Sequence, residues 1–85
     1  MNNNIKLWKV SFNNNIAVKV EELNKIKETK SSVIVMINDK RITINNYFIA
    51  KPKKKNGKVF MYVNAETEQG AKKAGQYFLD SFLIV

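Results

Sequence analysis

The sequence of 85 residues contains no cysteine and no histidine. Without cysteine there is no disulfide, no thiol nucleophile and no cysteine-ligated zinc or iron–sulfur site. Without histidine there is no Ser-His-Asp triad, no histidine-ligated metal and no imidazole acid or base. We therefore expect a protein that is not an enzyme and that needs no cofactor or metal ion.

Acidic residues and arginine are also scarce. The chain has 7 acidic residues against 15 basic ones, a net charge of +8, and Arg41 is the only arginine among 14 lysines. Such a surplus favours an anionic partner, above all a nucleic acid. A composition rich in lysine and asparagine is also typical of AT-rich coding, and arginine is the better residue for bidentate contacts to phosphates and bases. The charge alone therefore leaves DNA, RNA and an acidic protein open.

Long hydrophobic runs are absent, and no segment approaches the ~20 apolar residues of a membrane span. Residues 1–4 lack the basic and apolar regions of a signal peptide. We expect a cytoplasmic protein that does not engage a membrane. The length suits one small domain, and no linker divides the chain, so we expect residues 1–85 to fold as a single unit.

Alternating apolar residues predict a hairpin at the start of the chain. Trp8, Val10 and Phe12 share one face of a strand over residues 5–12, three asparagines at 13–15 predict a turn, and residues 16–20 predict the returning strand. From residue 20 the apolar spacing changes to three at Val20, Leu23 and Ile26, with acids first and lysines later. This pattern predicts a short helix over residues 20–30.

The middle of the chain predicts further strands. Residues 33–37 are apolar and mostly β-branched, which is typical of a strand buried on both faces. A tight turn at 38–40 leads to an alternating strand at 41–45, with Ile42 and Ile44 inward. Residues 47–51 either continue this strand past a bulge or begin another. Residues 52–57 predict a turn, and residues 59–63 a strand.

The last segment predicts an amphipathic helix. Ala71, Ala74, Phe78 and Phe82 recur at helical spacing, and Thr67 is the expected N-cap. Gly75, inside this helix, indicates close packing on the sheet. The fold class predicted is α+β, with a small, mostly antiparallel sheet of four or five strands, one short helix and a C-terminal helix packed on it. The predicted order is β-β-α-β-β-(β)-α.

One segment concentrates the positive charge. Residues 51–64 contain five lysines and no acid, and thus carry five of the eight net charges. A basic hairpin of this kind suits contacts with a phosphate backbone, whereas lysine-rich tips also serve solubility and edge protection. Aromatic residues nearby, Tyr47, Phe60 and Tyr62, either stack on unpaired bases or belong to the core. The candidate contacts are Lys51, Lys53, Lys54, Lys55, Lys58 and Tyr62.

A second basic site is the start of the last helix, where Lys72 and Lys73 stand in the run Ala-Lys-Lys-Ala. With a helix from residue 20 and three strands between, the element order α-β-β-β-α resembles that of the double-stranded RNA-binding domain. The resemblance covers element order and this dipeptide alone, because the family's Gly-Pro-x-His loop has no counterpart and residues 66–69 include two acids. It implies that Lys72 and Lys73 contact phosphates, and Lys40 and Arg41 are further secondary candidates.

The sequence contains one pattern that resembles a catalytic motif, and it is that of a nuclease. Glu28, Thr29 and Lys30 match the Glu-x-Lys half of a restriction-type site, with Asp39 as its second acid. Such a site requires the glutamate and lysine on a strand, and here they end a predicted helix, so we interpret the match as chance.

The leading hypothesis is a small basic module that binds nucleic acid through its lysine-rich hairpin. The alternative is an accessory or inhibitor protein of a phage or mobile element that binds an acidic host protein. A symmetric homodimer is also expected, because two helices cannot cover both apolar sheet faces and residues 82–85 are apolar as well. The other cover for the second face would be the N-terminal hairpin.

Overall fold

The computed structural model describes residues 5–45 and 51–84, with side chains up to Phe82. Within these residues it contains six strands and one helix, namely β1 (Lys6–Asn13), β2 (Ile16–Glu28), β3 (Ser32–Ile37), β4 (Lys40–Asn45), β5 (Lys53–Lys55), β6 (Lys58–Ala65) and α1 (Glu68–Ile84). All strand pairs are antiparallel, in the order β4-β3-β2-β1-β6-β5. The coarse prediction of an α+β domain with an antiparallel sheet is confirmed.

Three two-residue turns connect the hairpins, and each has positive φ at both central residues. These pairs are Asn14-Asn15, Asn38-Asp39 and Asn56-Gly57. Positive φ at both positions is the signature of the type I′ turn, whose twist matches that of the flanking strands. Asparagine and aspartate tolerate this conformation better than other residues with a Cβ, which explains the turns predicted at 13–15 and 38–40.

The larger core lies between the sheet and the helix. Its buried side chains come from β1, β2, β6 and α1, and are Trp8, Val10, Phe12, Ala17, Met61, Val63, Ala71 and Leu79. The indole Nε1 of Trp8 donates a hydrogen bond of 2.8 Å to the carbonyl oxygen of Ala65, so its polar end is satisfied. As predicted, Trp8, Val10 and Phe12 share one face.

A second core lies on the opposite sheet face and contains Leu7, Leu23, Val33, Val35 and Ile44. Leu7 faces Leu23 across the β1–β2 ladder, whereas its neighbour Trp8 belongs to the core under the helix. The central strand β1 is therefore buried on both faces. The N-terminal hairpin does not fold over the second face, because its strands are the middle of the sheet.

The helix begins at the predicted N-cap, where Thr67 Oγ1 accepts a hydrogen bond of 3.0 Å from the Gly70 N–H. Its buried face is centred on Ala71, Gly75 and Leu79. A Cβ at position 75 would lie 3.0 Å from Val10, so glycine permits the close approach, as predicted. Phe78 and Phe82, which the helical spacing places on the apolar face, are 36% and 47% exposed and lie at its edge.

The prediction of a short helix over residues 20–30 is wrong, because most of this segment is the second half of the 13-residue strand β2. The strand changes its buried face along its length. Val20 packs against the core under the helix, Leu23 belongs to the opposite core, and a register shift falls at Ile26, between Lys25 and Lys27. An apolar spacing of three is therefore produced here by a strand that serves two cores.

In the part of the chain that the structure describes, the sheet has six strands, where four or five were predicted. Residues 53–55 form β5, so the turn predicted over 52–57 is confined to Asn56 and Gly57. Of the two inward isoleucines predicted in β4, Ile44 is buried and Ile42 is 37% exposed. Residues 47–50 of the predicted strand, Tyr47 among them, lie outside the described residues.

Candidate nucleic-acid interface

The register of the β5–β6 hairpin divides its lysines between the two sheet faces. Lys53 pairs with Phe60, Lys54 with Val59, and Lys55 with Lys58. Val59 packs against the core under the helix. Since partners across a ladder point to the same face, Lys54 lies on the helix side. Lys53, Lys55 and Lys58 lie on the opposite side.

Two aromatic residues and a further lysine share that opposite side. Phe60 and Tyr62 follow Lys58 at steps of two along β6, and Lys9 of β1 pairs with Tyr62. We call this surface the lysine face, defined by Lys9, Lys53, Lys55, Lys58, Phe60 and Tyr62. It combines four cations with two aromatic rings on one side of three adjacent strands.

Three side chains of the lysine face, those of Lys9, Phe60 and Tyr62, are in contact. The Lys9 Nζ lies 4.9 Å from the centroid of the Phe60 ring, within cation–π range. The rings of Phe60 and Tyr62 meet edge to face, with centroids 5.6 Å apart. Burial raises the pKa of the Tyr62 phenol above its ordinary value, so the hydroxyl is protonated at neutral pH and can donate a hydrogen bond.

The positive charge of the hairpin is not neutralised within the part of the chain that the structure describes. The ion pairs there join Lys6 to Glu22, Lys19 to Glu21 and Lys25 to Glu28, at 3.7–3.8 Å. All three use the acids of β2. Lys55 and Lys58 face each other across the ladder, where like charges are destabilising. The sequence thus places repulsive charge where folding alone does not require it.

A cleft adjoins the lysine face, with a volume of about 260 Å³. Among the described residues, its lining comes from β4 at one edge of the sheet and from β5 and β6 near the other, namely Ile42, Thr43, Ile44, Asn45, Lys53 and Tyr62. In a flat sheet of six strands the two edges would be about 24 Å apart. Residues from both ends can line one cleft because the sheet curls.

The remaining predicted contacts lie elsewhere. Lys72 and Lys73 are exposed on the helix, which covers the sheet face opposite the lysine face. Lys40 and Arg41 begin β4, and Lys51 is exposed shortly before β5. Since the helix predicted at residues 20–30 is a strand, the α-β-β-β-α order of the double-stranded RNA-binding domain is not present. The implied role of Lys72 and Lys73 loses that support.

Sequence reasoning missed Lys9 and the cleft as parts of the interface. The alternation of β1 places Lys9 opposite Trp8 and Val10, but only the register with β6 brings it beside Tyr62. The cleft depends on the curl of the sheet, for which the sequence carries no local pattern. Lys53, Lys55, Lys58 and Tyr62 are predicted contacts that the structure does bring together.

The structure separates the residues of the nuclease motif. Glu28 ends a strand and not a helix, so the reason first given against the motif is wrong. It pairs with Val33 near the start of β3, whereas Asp39 follows the end of that strand. At about 3.3 Å per residue, β3 holds these acids about 13 Å or more apart. Among the described residues, no three acidic side chains cluster in a way that could hold a metal ion.

No protein-family model, curated protein or solved structure matches this chain. Within the described residues, no helix has both the length and the apolar character needed to cross a bilayer.

Proposed function

We propose that this protein binds nucleic acid through the lysine face. The observation that carries the proposal is the sorting of lysines by the β5–β6 register, which sets Lys53, Lys55 and Lys58 beside Phe60 and Tyr62. Cations and aromatic rings on one surface are the two elements that proteins use to hold phosphates and bases together.

Edge protection explains only part of this arrangement. Lysines on an edge strand such as β5 discourage pairing with another chain. That role is served equally by lysines on either face, and it does not call for Lys9 on the central strand or Lys58 on β6. Lys9 also faces the acid Glu21 across the β1–β2 ladder, so it is the convergence of Lys53 and Lys58 on the aromatic side that supports a ligand.

The chemistry of the lysine face favours contacts to the backbone of the nucleic acid over reading of base pairs. Lysine provides a single charge on a flexible stem, without the fixed fork by which arginine recognises guanine. Binding should therefore depend steeply on salt and little on sequence. No catalytic step is proposed.

Two triple variants with equal loss of charge test the proposal. Lys53→Ala/Lys55→Ala/Lys58→Ala removes three cations from the lysine face, and Lys54→Ala/Lys72→Ala/Lys73→Ala removes three from the helix side. Affinity for fluorescent oligonucleotides is measured by anisotropy at several salt concentrations. The first variant should reduce the slope of log K against log salt by about 2 to 3 units, and the second by less than about half a unit.

Equal effects of the two triple variants would show that only the total charge matters and would contradict the lysine face. The absence of any binding at low salt would contradict nucleic acid as the ligand. That result would favour the second candidate function, in which this protein is a phage or mobile-element factor that binds an acidic host protein. The observation that supports this candidate is the uncompensated positive charge of the same hairpin.

A further inference from the structure

The cleft beside the lysine face has the size of a small planar group. A volume of 260 Å³ equals that of about nine water molecules at ~30 Å³ each. A pyrimidine base, with about eight non-hydrogen atoms, fits this volume, whereas drug-sized ligands occupy pockets of about 300 Å³ or more. The cleft thus suits one small ring.

The lining residues combine apolar surface with polar groups. Ile42 and Ile44 pair with Val35 and Val33 of the core on this face and offer aliphatic contact to a flat ring, and Tyr62 brings a phenol. Thr43 and Asn45 alternate with the isoleucines along β4, so their side chains point to the other face of the sheet. Apolar walls with a few polar groups are typical of sites that hold a heteroaromatic ring in one orientation.

Lys53 connects this cleft to the lysine face. It lines the cleft and also lies opposite Phe60 in the β5–β6 register. A nucleotide whose base entered the cleft would therefore have its phosphate next to the Lys53 ammonium. The neighbouring nucleotides of the nucleic-acid strand would then lie over Phe60 and the remaining lysines of the lysine face.

Resting on the proposed nucleic-acid function, we infer that the cleft between β4 and β6 accepts one unpaired base, and that the preferred ligand is single-stranded. In a duplex every base is paired and stacked, and extruding one costs a few kcal/mol. A single strand presents its bases without that cost. The lysines attract both forms, and the cleft distinguishes them.

The test compares an oligothymidylate of about 12 nucleotides with a duplex of the same length, at one low salt concentration. The native protein should bind the single strand about tenfold more tightly than the duplex. An oligonucleotide of equal length with abasic sites throughout keeps the phosphates and lacks the bases. It should bind as weakly as the duplex.

A substitution that fills the cleft tests the same inference from the side of the protein. Ile42 lines the cleft and is 37% exposed, so Ile42→Trp should occupy it and bring the affinity for the single strand within about twofold of that for the duplex. Val18 on β2 is 59% exposed and lies outside the cleft, so Val18→Trp is the control and should keep the tenfold preference.

Three results would overturn the inference while leaving the proposed function intact. These are equal affinity for single strand and duplex, full affinity for the abasic chain, and a folded Ile42→Trp variant that keeps the preference. The abasic comparison uses the native protein, so it holds even if Ile42→Trp fails to fold. Binding of neither form would overturn the proposed function and the inference together.

Discussion

Gln76 of the helix accepts a hydrogen bond of 2.8 Å at its Oε1 from the backbone N–H of Ala17 in β2. The Nε2 of the same side chain donates to the carbonyl oxygen of Asn15 at 2.9 Å. Ala17 is buried and lies next to the register shift of the β1–β2 pair, where regular ladder bonding is interrupted. One side chain thus joins the helix to the first hairpin.

Replacing this side chain should leave a buried donor unsatisfied. We expect Gln76→Ala to lower the free energy of unfolding by about 1–3 kcal/mol, as measured by urea denaturation. Asp80→Ala removes only the exposed bond from Gln76 Nε2 to Asp80 and should change stability by less than about 0.5 kcal/mol. Equal effects of the two variants would contradict a structural role for the Ala17 contact.

Gly75 and Val10 provide a test of the approach between helix and sheet. In an isolated helix, alanine is about 1 kcal/mol more favourable than glycine. Here a Cβ would lie 3.0 Å from the Val10 side chain on the central strand, so Gly75→Ala should destabilise by about 1–3 kcal/mol. In a Val10→Ala background the same change should be neutral or stabilising. Stabilisation of the native background would show that the approach is looser.

The type I′ turn of the basic hairpin should depend on its glycine. Gly57 has a φ of +77°, and an added Cβ would contact nothing but would be strained. We expect Gly57→Ala to lower stability by about 1 kcal/mol in thermal melts. Asn56→Gly, at the preceding turn position, should stay within about 0.5 kcal/mol. Loss of the turn should also weaken the proposed nucleic-acid binding, because the turn sets the β5–β6 register.

The raised pKa of the Tyr62 phenol predicts that the stability of the protein falls at alkaline pH. Burial raises the pKa of its phenol in the folded protein above the ordinary value of 10.0, so the unfolded chain loses this proton first as pH rises. Stability should therefore be retained below pH 10 and fall as pH rises through the folded pKa. Tyr62→Phe should show a smaller fall in unfolding free energy between about pH 9 and 11. Identical slopes would contradict the assigned burial.

The aromatic end of the helix bears on the expected homodimer. Tyr77 is 68% exposed, and it meets Phe78 edge to face with centroids 5.7 Å apart. Exposed aromatic surface of this kind favours association, and two-fold dimers are the commonest oligomers. We expect sedimentation at micromolar concentration to give twice the 9.8 kDa chain mass, and Tyr77→Ser/Phe82→Ser to give a monomer. A native mass of 9.8 kDa would contradict the dimer.

Local patterns were sufficient for several elements. The strand at residues 59–63 follows from its continuous apolar run. The turns at 13–15 and 38–40 follow from asparagine, which tolerates positive φ, and the C-terminal helix follows from helical spacing. Local patterns were not sufficient for β2, because Val20 and Leu23 lie in different cores. Helical spacing assumes that apolar residues three apart share one face, whereas in β2 these two residues point to opposite faces of a curled sheet.

The candidate interface was predicted as a cluster of charge and not as a surface. Counting lysines locates residues 51–58, but only the register tells Lys53 and Lys55 from Lys54 between them. Alternation alone would have allowed this division, had residues 53–55 been recognised as a strand. Lys9 could not have been included, since its proximity to Phe60 depends on a pairing between distant segments.

The strand order has a consequence during synthesis. β1 leaves the ribosome before β6, its partner on one side, which begins only at Lys58. At 5–20 residues per second, the roughly 45 residues between the two strands take a few seconds to emerge. For that time an apolar strand destined for the centre of the sheet has an open edge, to which other nascent chains can pair. Chains that terminate before β6 would keep this edge and should aggregate, whereas the completed protein closes it with its own lysine-bearing hairpin.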